Sequence, residues 1–201
     1  MLRRYSRKLS AILIVLCLSI LGIGSCSRQL SPLEIVKSYE VACNSSDIES
    51  LLSLFEDDAT VEFIGMGPVV RGLLWIRGKA EYDSTLHTRL ELTVKRKELG
   101  TVYCSAKETN DWAKTVGISM LVYSQFDLEI KSGKIFSISA LLSDSSIVRI
   151  NEVMTEVVPW AQTNRPRLFT EAFSEGEFSF NTASARATLS LLADWRKSMA
   201  E

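Results

Sequence analysis

The stretch that most constrains this chain is 31–64, SPLEIVKSYEVACNSSDIESLLSLFEDDATVEFI, because it holds two helix starts, one break and one strand in a short run. Ser31 and Glu34 have the spacing of a capping box, and Pro32 supplies the fixed φ that suits a first helical position. Val36, Tyr39 and Cys43 recur at three- and four-residue steps with Ile35 and Ala42 beside them, so one stripe of the first helix faces inward. Asn44 and Ser45 interrupt that stripe. Ser46 and Glu49 then form a second capping box, with Asp47 placed to favour the positive end of the helix. Ile48, Leu51, Leu52, Leu54 and Phe55 give this second helix its own apolar face. Glu56, Asp57 and Asp58 are expected to end it, after which Ala59, Val61 and Phe63 alternate with Thr60 and Glu62 as in a half-buried strand.

The rest of the chain can be arranged around this unit. Gly65, Gly67 and Pro68 make a turn, and Arg71 to about His87 reads as a third helix, weakened by Gly78. Four runs rich in alternating, β-branched or aromatic residues follow: 90–98, 101–109, 115–130 and 134–142. Gly100, Asn110-Asp111 and Lys131-Ser132-Gly133 separate them with turn chemistry. Helices first and a meander of strands afterwards is an α+β order.

The run YEVACNSSDIESLLSLFEDDATVEF resembles the opening of the nuclear transport factor 2-like, or SnoaL-like, superfamily, and its pattern is most similar to ketosteroid isomerases. The similarity continues through Arg71-Gly72 with Ile76-Arg77, and through Gly133-Lys134-Ile135 with Ser137, Ala140 and Leu141. It spans about 32–145. The fold it implies is a cone-shaped curved antiparallel sheet closed by three N-terminal helices, with a pocket between sheet and helices. It also implies roles, position by position. Tyr39 matches the tyrosine that serves the oxyanion hole in the isomerases. Their general base falls at Phe63, and their second oxyanion donor, a protonated aspartate, falls at Gln125. Phenylalanine accepts no proton, so isomerisation by that acid–base pair is not expected, and no catalytic residue is assigned. What remains is a pocket walled by Tyr39, Val61, Phe63, Trp75, Tyr123, Gln125 and Ile138, with the Tyr39 hydroxyl and the Gln125 amide as orienting groups. The same side chains could instead fill the cone.

Other candidates are weaker. His87, the only histidine, sits near a helix end among polar neighbours and reads as a solvated side chain. Asp57 and Asp58 are adjacent at a strand entry and point apart. Glu81, Asp83 and Asp127 would supply a carboxylate only if they faced inward. No Cys/His spacing suggests a metal, and no cofactor is expected.

The N-terminus gives a cellular address. Arg3, Arg4, Arg7 and Lys8 precede an apolar run from Ala11 to Ile23, which is too short to span a bilayer and has the pattern of an export signal. Gly24-Ser25-Cys26 looks like a bacterial lipobox, which would leave residues 1–25 as a lipoprotein signal, an acylated Cys26 and a tether over 26–31. An ordinary signal peptide or an uncleaved anchor are the alternatives. The expected location is the cell envelope, with the membrane held through Cys26. Removing 1–25 leaves 19 basic residues against 24 acidic, a net charge of −5. Such a surface is a poor partner for nucleic acid. Cys43 and Cys104 then remain, as a disulfide that export permits or as two buried thiols.

Beyond the resemblance, 146–201 is expected to form a docked, mainly helical extension. Ile147, Ile150, Met154, Val157 and Ala161 form a helical stripe that Pro159 should kink or end. Phe169, Phe173, Phe178 and Phe180 gather around Gly176, and a last helix from about Ala183 carries Thr188, Leu192, Trp195 and Met199 on one face. In the strand 115–130 the even positions 118, 120, 122, 126, 128 and 130 are apolar while Tyr123 and Gln125 are odd. If the odd face lines the cone, the even face needs a cover, either this extension or a second copy in a homodimer. The sequence thus leads to an exported domain that binds a small apolar molecule or a protein partner. An isomerase, dehydratase or cyclase using Tyr39 and a carboxylate, and a dimeric scaffold with a filled cone, are its competitors.

Overall fold

The computed structural model describes residues 29–200 except 68, 175, 176 and 179. The export signal and Cys26 lie outside the described residues.

Helix α1 (Pro32–Ser45) begins at the Ser31 capping box, in which the Glu34 carboxylate accepts from the Ser31 N–H at 2.8 Å. It ends on Ser46 in a left-handed conformation, and Asp47 caps α2 (Ile48–Ser53) through the Ser50 N–H. Strand β1 (Phe55–Phe63) starts earlier than the alternation suggests and takes in Glu56, Asp57 and Asp58. The register with β6 (Lys134–Leu142) slips between Phe55 and Thr60, so this acidic stretch forms an irregular strand entry with its carboxylates outside. After the short β2 (Val70–Arg71), α3 (Leu73–Thr85) crosses back over the sheet.

Strands β3 (Arg89–Glu98), β4 (Thr101–Thr109), β5 (Leu121–Lys131) and β6 complete a six-stranded sheet in the order β2-β1-β6-β5-β4-β3. All neighbours are antiparallel except β1 and β6, which run parallel because the chain reaches β6 only after the whole meander. Register shifts interrupt four of the five pairings. Each such irregularity bends its strand, and together they curve the sheet around α1, α2 and α3. The core lies in that concavity, with Ile35, Phe55, Leu128, Ile135 and Ile138 almost fully buried.

The run 115–130 is not one strand. Asn110 accepts from the Ala113 N–H and caps a short helix α4 (Asp111–Thr115), and β5 begins only at Leu121. Within β5 the pairing slips between Tyr123 and Gln125, leaving Ser124 as the extra residue. That bulge inverts the side-chain alternation. Leu121 and Tyr123 face inward before it, and Phe126, Leu128 and Ile130 face inward after it, all buried. The exposed apolar face expected on the even positions therefore does not exist, and the requirement for a sheet-to-sheet partner goes with it.

The C-terminal segment forms α5 (Asp144–Asn164), α6 (Pro166–Ala172), a two-residue hairpin of β7 (Phe173–Ser174) and β8 (Glu177–Phe178), and α7 (Thr182–Ser198). Pro159 sits inside α5, which continues past it. Helix α7 packs on α3 and α4, burying Thr188, Leu191, Leu192 and Trp195. Gly78 explains the closeness of this contact, since a Cβ there would lie 2.5 Å from the Phe180 carbonyl oxygen. The extension thus covers the outer side of the helical layer through α7, while the start of α5 sits on β5, where the Val122 N–H donates to Ser146 Oγ at 2.9 Å.

Candidate functional site

Between the concave face and the three leading helices lies a cavity of about 70 Å³. Chambers that take drug-sized molecules are about 300 to 1,000 Å³, so most of the cone is filled. The filling is aromatic. Tyr39 packs edge-on against Phe55 with centroids 6.0 Å apart and tilts on Phe126 at 6.2 Å, while Phe126 meets Tyr123 edge-on at 5.9 Å.

Five of the seven side chains expected on the wall are there: Tyr39, Val61, Phe63, Tyr123 and Ile138. Gln125 is not, because the Ser124 bulge turns it to the convex face, where its amide donates to Asp127 at 2.8 Å. Trp75 is not either. It lies in the first turn of α3, outside the chamber lining, and is half exposed. His87 is not among the lining residues either, its ring paired with Asp111 at 2.6 Å on the surface. Cys43 and Cys104 are separate free thiols.

The chamber also has ionic side chains in its lining. Lys79 and Asp83, four apart on α3, both reach into it, with the Lys79 ammonium donating to Asp83 Oδ1 at 2.6 Å. Their side chains keep 23% and 30% exposure, so solvent touches the pair. The ammonium also stands 5.4 Å from the centre of the Phe63 ring. Opposite, Glu108 of β4 accepts from the Tyr123 hydroxyl at 2.8 Å and from the Asn110 amide at 2.7 Å. Two carboxylates and one ammonium thus share an apolar chamber. Burial raises the Asp83 carboxyl above its ordinary range, with Glu108 adding to the rise and Lys79 opposing it. Burial acts to lower Lys79, but Asp83 and Glu108 outweigh it and hold the ammonium charged.

The phenols and the thiol are neutral. Burial, then Cys43 and Asp83, push Tyr39 well above the usual tyrosine range, and burial with Glu108 does the same to Tyr123. Cys43, hydrogen-bonded to Tyr39, is pushed up to about 12, mainly by burial, which excludes a reactive thiolate. Thr88 completes the polar rim. Its hydroxyl is buried on the chamber wall and makes no hydrogen bond. A buried hydroxyl without a partner costs about 1 to 3 kcal/mol.

Sequence reasoning named Asp83 without knowing its direction and passed over Lys79, Glu108 and Thr88. The i,i+4 spacing of Lys79 and Asp83 was a usable signal, although on most helices it marks a solvated pair. Glu108 and Thr88 had none, because strand ends are polar whether they face water or a cavity.

No family model matches the chain, and no curated protein matches it. Among solved structures, it is similar to an NTF2-like protein of unknown function from Cytophaga hutchinsonii, with 10% identity over 61% of this chain and 98% of the other at a TM-score of 0.49. It is similar to a protein of ketosteroid isomerase-like fold from Catenulispora acidiphila, solved with trimethylamine, with 19% identity over 57% and 88% at 0.47. It is also similar to an LEH-like epoxide hydrolase from M. tuberculosis, with 13% identity over 64% and 96% at 0.47.

Proposed function

We propose that this is an exported, lipid-anchored domain whose chamber binds a small molecule that is apolar over most of its surface and carries one hydrogen-bond-donating or cationic group. The observation that carries the ligand is the chamber itself, a mostly apolar space whose lining includes the carboxylates of Asp83 and Glu108. With one ammonium against two carboxylates, the wall has acceptors to spare. The apolar remainder, Val61, Phe63 and Ile138, would cover the rest of the ligand. The anchor rests on the basic leader, the short apolar run and Cys26.

A second reading at the same place is proton-transfer catalysis of the isomerase, dehydratase or cyclase kind. It is favoured by Asp83, a carboxyl held above its ordinary range in a site that also contains Tyr39. Under this reading Asp83→Asn keeps binding and loses turnover, whereas under the first it loses binding.

Native mass spectrometry on protein released gently from its membrane tests the binding reading. A small-molecule adduct on the wild type that disappears in Ala80→Leu, which fills the chamber from α3, is the expected result. Wild-type protein with only polypeptide and acyl mass would count against it.

A further inference from the structure

Three separate features converge on one end of the sheet. The first is the tether. Gln29 lies against the β5–β6 turn, so closely that a Cβ on Gly133 would be 2.6 Å from its Nε2. Three peptide steps separate Gln29 from Cys26, a reach of roughly 10 Å at full extension. Whatever holds Cys26 at a membrane therefore holds this turn at the membrane surface.

The second is a run of exposed leucines. Leu99, at the tip of the β3–β4 turn, is 98% exposed and sits at φ 46°, a left-handed backbone that strains a side chain of this kind. Asparagine or glycine would relieve the strain and leave nothing apolar in water. That turn adjoins the other one, because the Ile130 N–H donates to the Gly100 carbonyl at 2.9 Å. Leu33 and Leu30 lie toward the same end, at 49% and 40% exposure. The Asn44–Leu90 and Glu40–Leu92 bonds set α1 antiparallel to β3, which brings the start of α1 toward the Leu99 turn.

The third is charge. The two turn segments 95–100 and 129–134 read KRKELG and EIKSGK, five basic residues against two acidic, in a chain that is acidic once its leader is removed. Lysines on the edge strand β3 also discourage strand pairing, which accounts for Lys95 and Lys97 but not for Lys131, Lys134 or the leucine.

We propose that the end of the sheet formed by the β3–β4 and β5–β6 turns is the face that the protein lays on an anionic lipid bilayer, with Leu99 entering the headgroup layer. Apolar side chains ringed by lysines are what such an interface binds. The inference rests on membrane attachment through the N-terminal segment, whether by acylated Cys26 or by a retained leader. It places the opposite end, with the Gly65–Gly67 turn and α4, away from the lipid.

Lysine footprinting of the full chain in its own membrane vesicles, compared with the same protein in detergent, tests the orientation. Lys97, Lys131 and Lys134 should label at least about threefold more slowly in vesicles, and Lys114 on α4 at an unchanged rate. Equal labelling throughout, or protection of Lys114 instead, would overturn the proposal. The mass of the N-terminal peptide in the same digest reports acylation separately, so a failed anchor and a failed orientation are told apart. Leu99→Asn provides an independent arm: it should raise the melting temperature by relaxing the turn while reducing the vesicle protection of Lys131 and Lys134. A variant that is more stable and equally protected would show that Leu99 does not enter the lipid.

Discussion

A lysine and a carboxylate four residues apart on a helix are ordinarily solvated and contribute little. In this chain Lys79 and Asp83 stand inside the cone with Glu108 lining the same chamber, and removing one partner has a different consequence. Lys79→Met leaves the Asp83 carboxylate without its cation, and the folded state then prefers it protonated. A carboxyl whose folded value lies above its unfolded value costs stability as pH rises, and the cost vanishes below the unfolded value. Thermal unfolding should therefore show Lys79→Met weaker than wild type by about 3 kcal/mol at neutral pH, with the gap closing toward about pH 4. A gap independent of pH would mean that the lysine matters only for packing. Asp83 was visible in the sequence as a residue whose direction decides the matter, and the sequence carried no sign of that direction. The inward turn of α3 depends on α7 covering its other side, a contact between residues about a hundred positions apart.

At the scale of elements, local chemistry was readable and its interruptions were not. Ser31 with Glu34 predicts the start of α1, and Gly133 with its neighbours predicts the β5–β6 turn, because caps and turns are decided by adjacent residues. The Ser124 bulge is decided by the pairing of β5 with β4 and β6, and it moved Gln125 from the cavity to the convex face. It also removed the apolar surface that suggested a dimer. Gly78 shows the same dependence. By propensity alone, Gly78→Ala should strengthen α3 by about 1 kcal/mol. A Cβ there would collide with the Phe180 backbone, so the variant should instead unfold at a lower temperature, with hydrogen exchange rising first at the start of α7. A more stable variant with unchanged exchange would refute this packing.

For the whole molecule, the sequence resemblance gave the layers: three leading helices, a curved sheet and a pocket between them. It could not give the size of the pocket, since that depends on how Tyr39, Phe55, Tyr123 and Phe126 interlock in space. The result is a cone mostly filled by its own rings, with a small chamber left beside the ionic side chains. Under the proposed binding role, such a space would select by size and by charge together. Binding of a cation there also requires an ionised Asp83, so affinity should fall as pH drops through that residue's raised value. The most direct measurement is an NMR titration of the protein with trimethylammonium and with its neutral near-isostere tert-butanol, following the Thr88 and Tyr39 signals. Saturable shifts with trimethylammonium, weaker ones with tert-butanol, and loss of both the shifts and the preference in Asp83→Asn are the predicted outcome. No shift at either residue with either probe would contradict a chamber built to hold a small donor-bearing ligand, and equal binding of the two probes would contradict selection by charge.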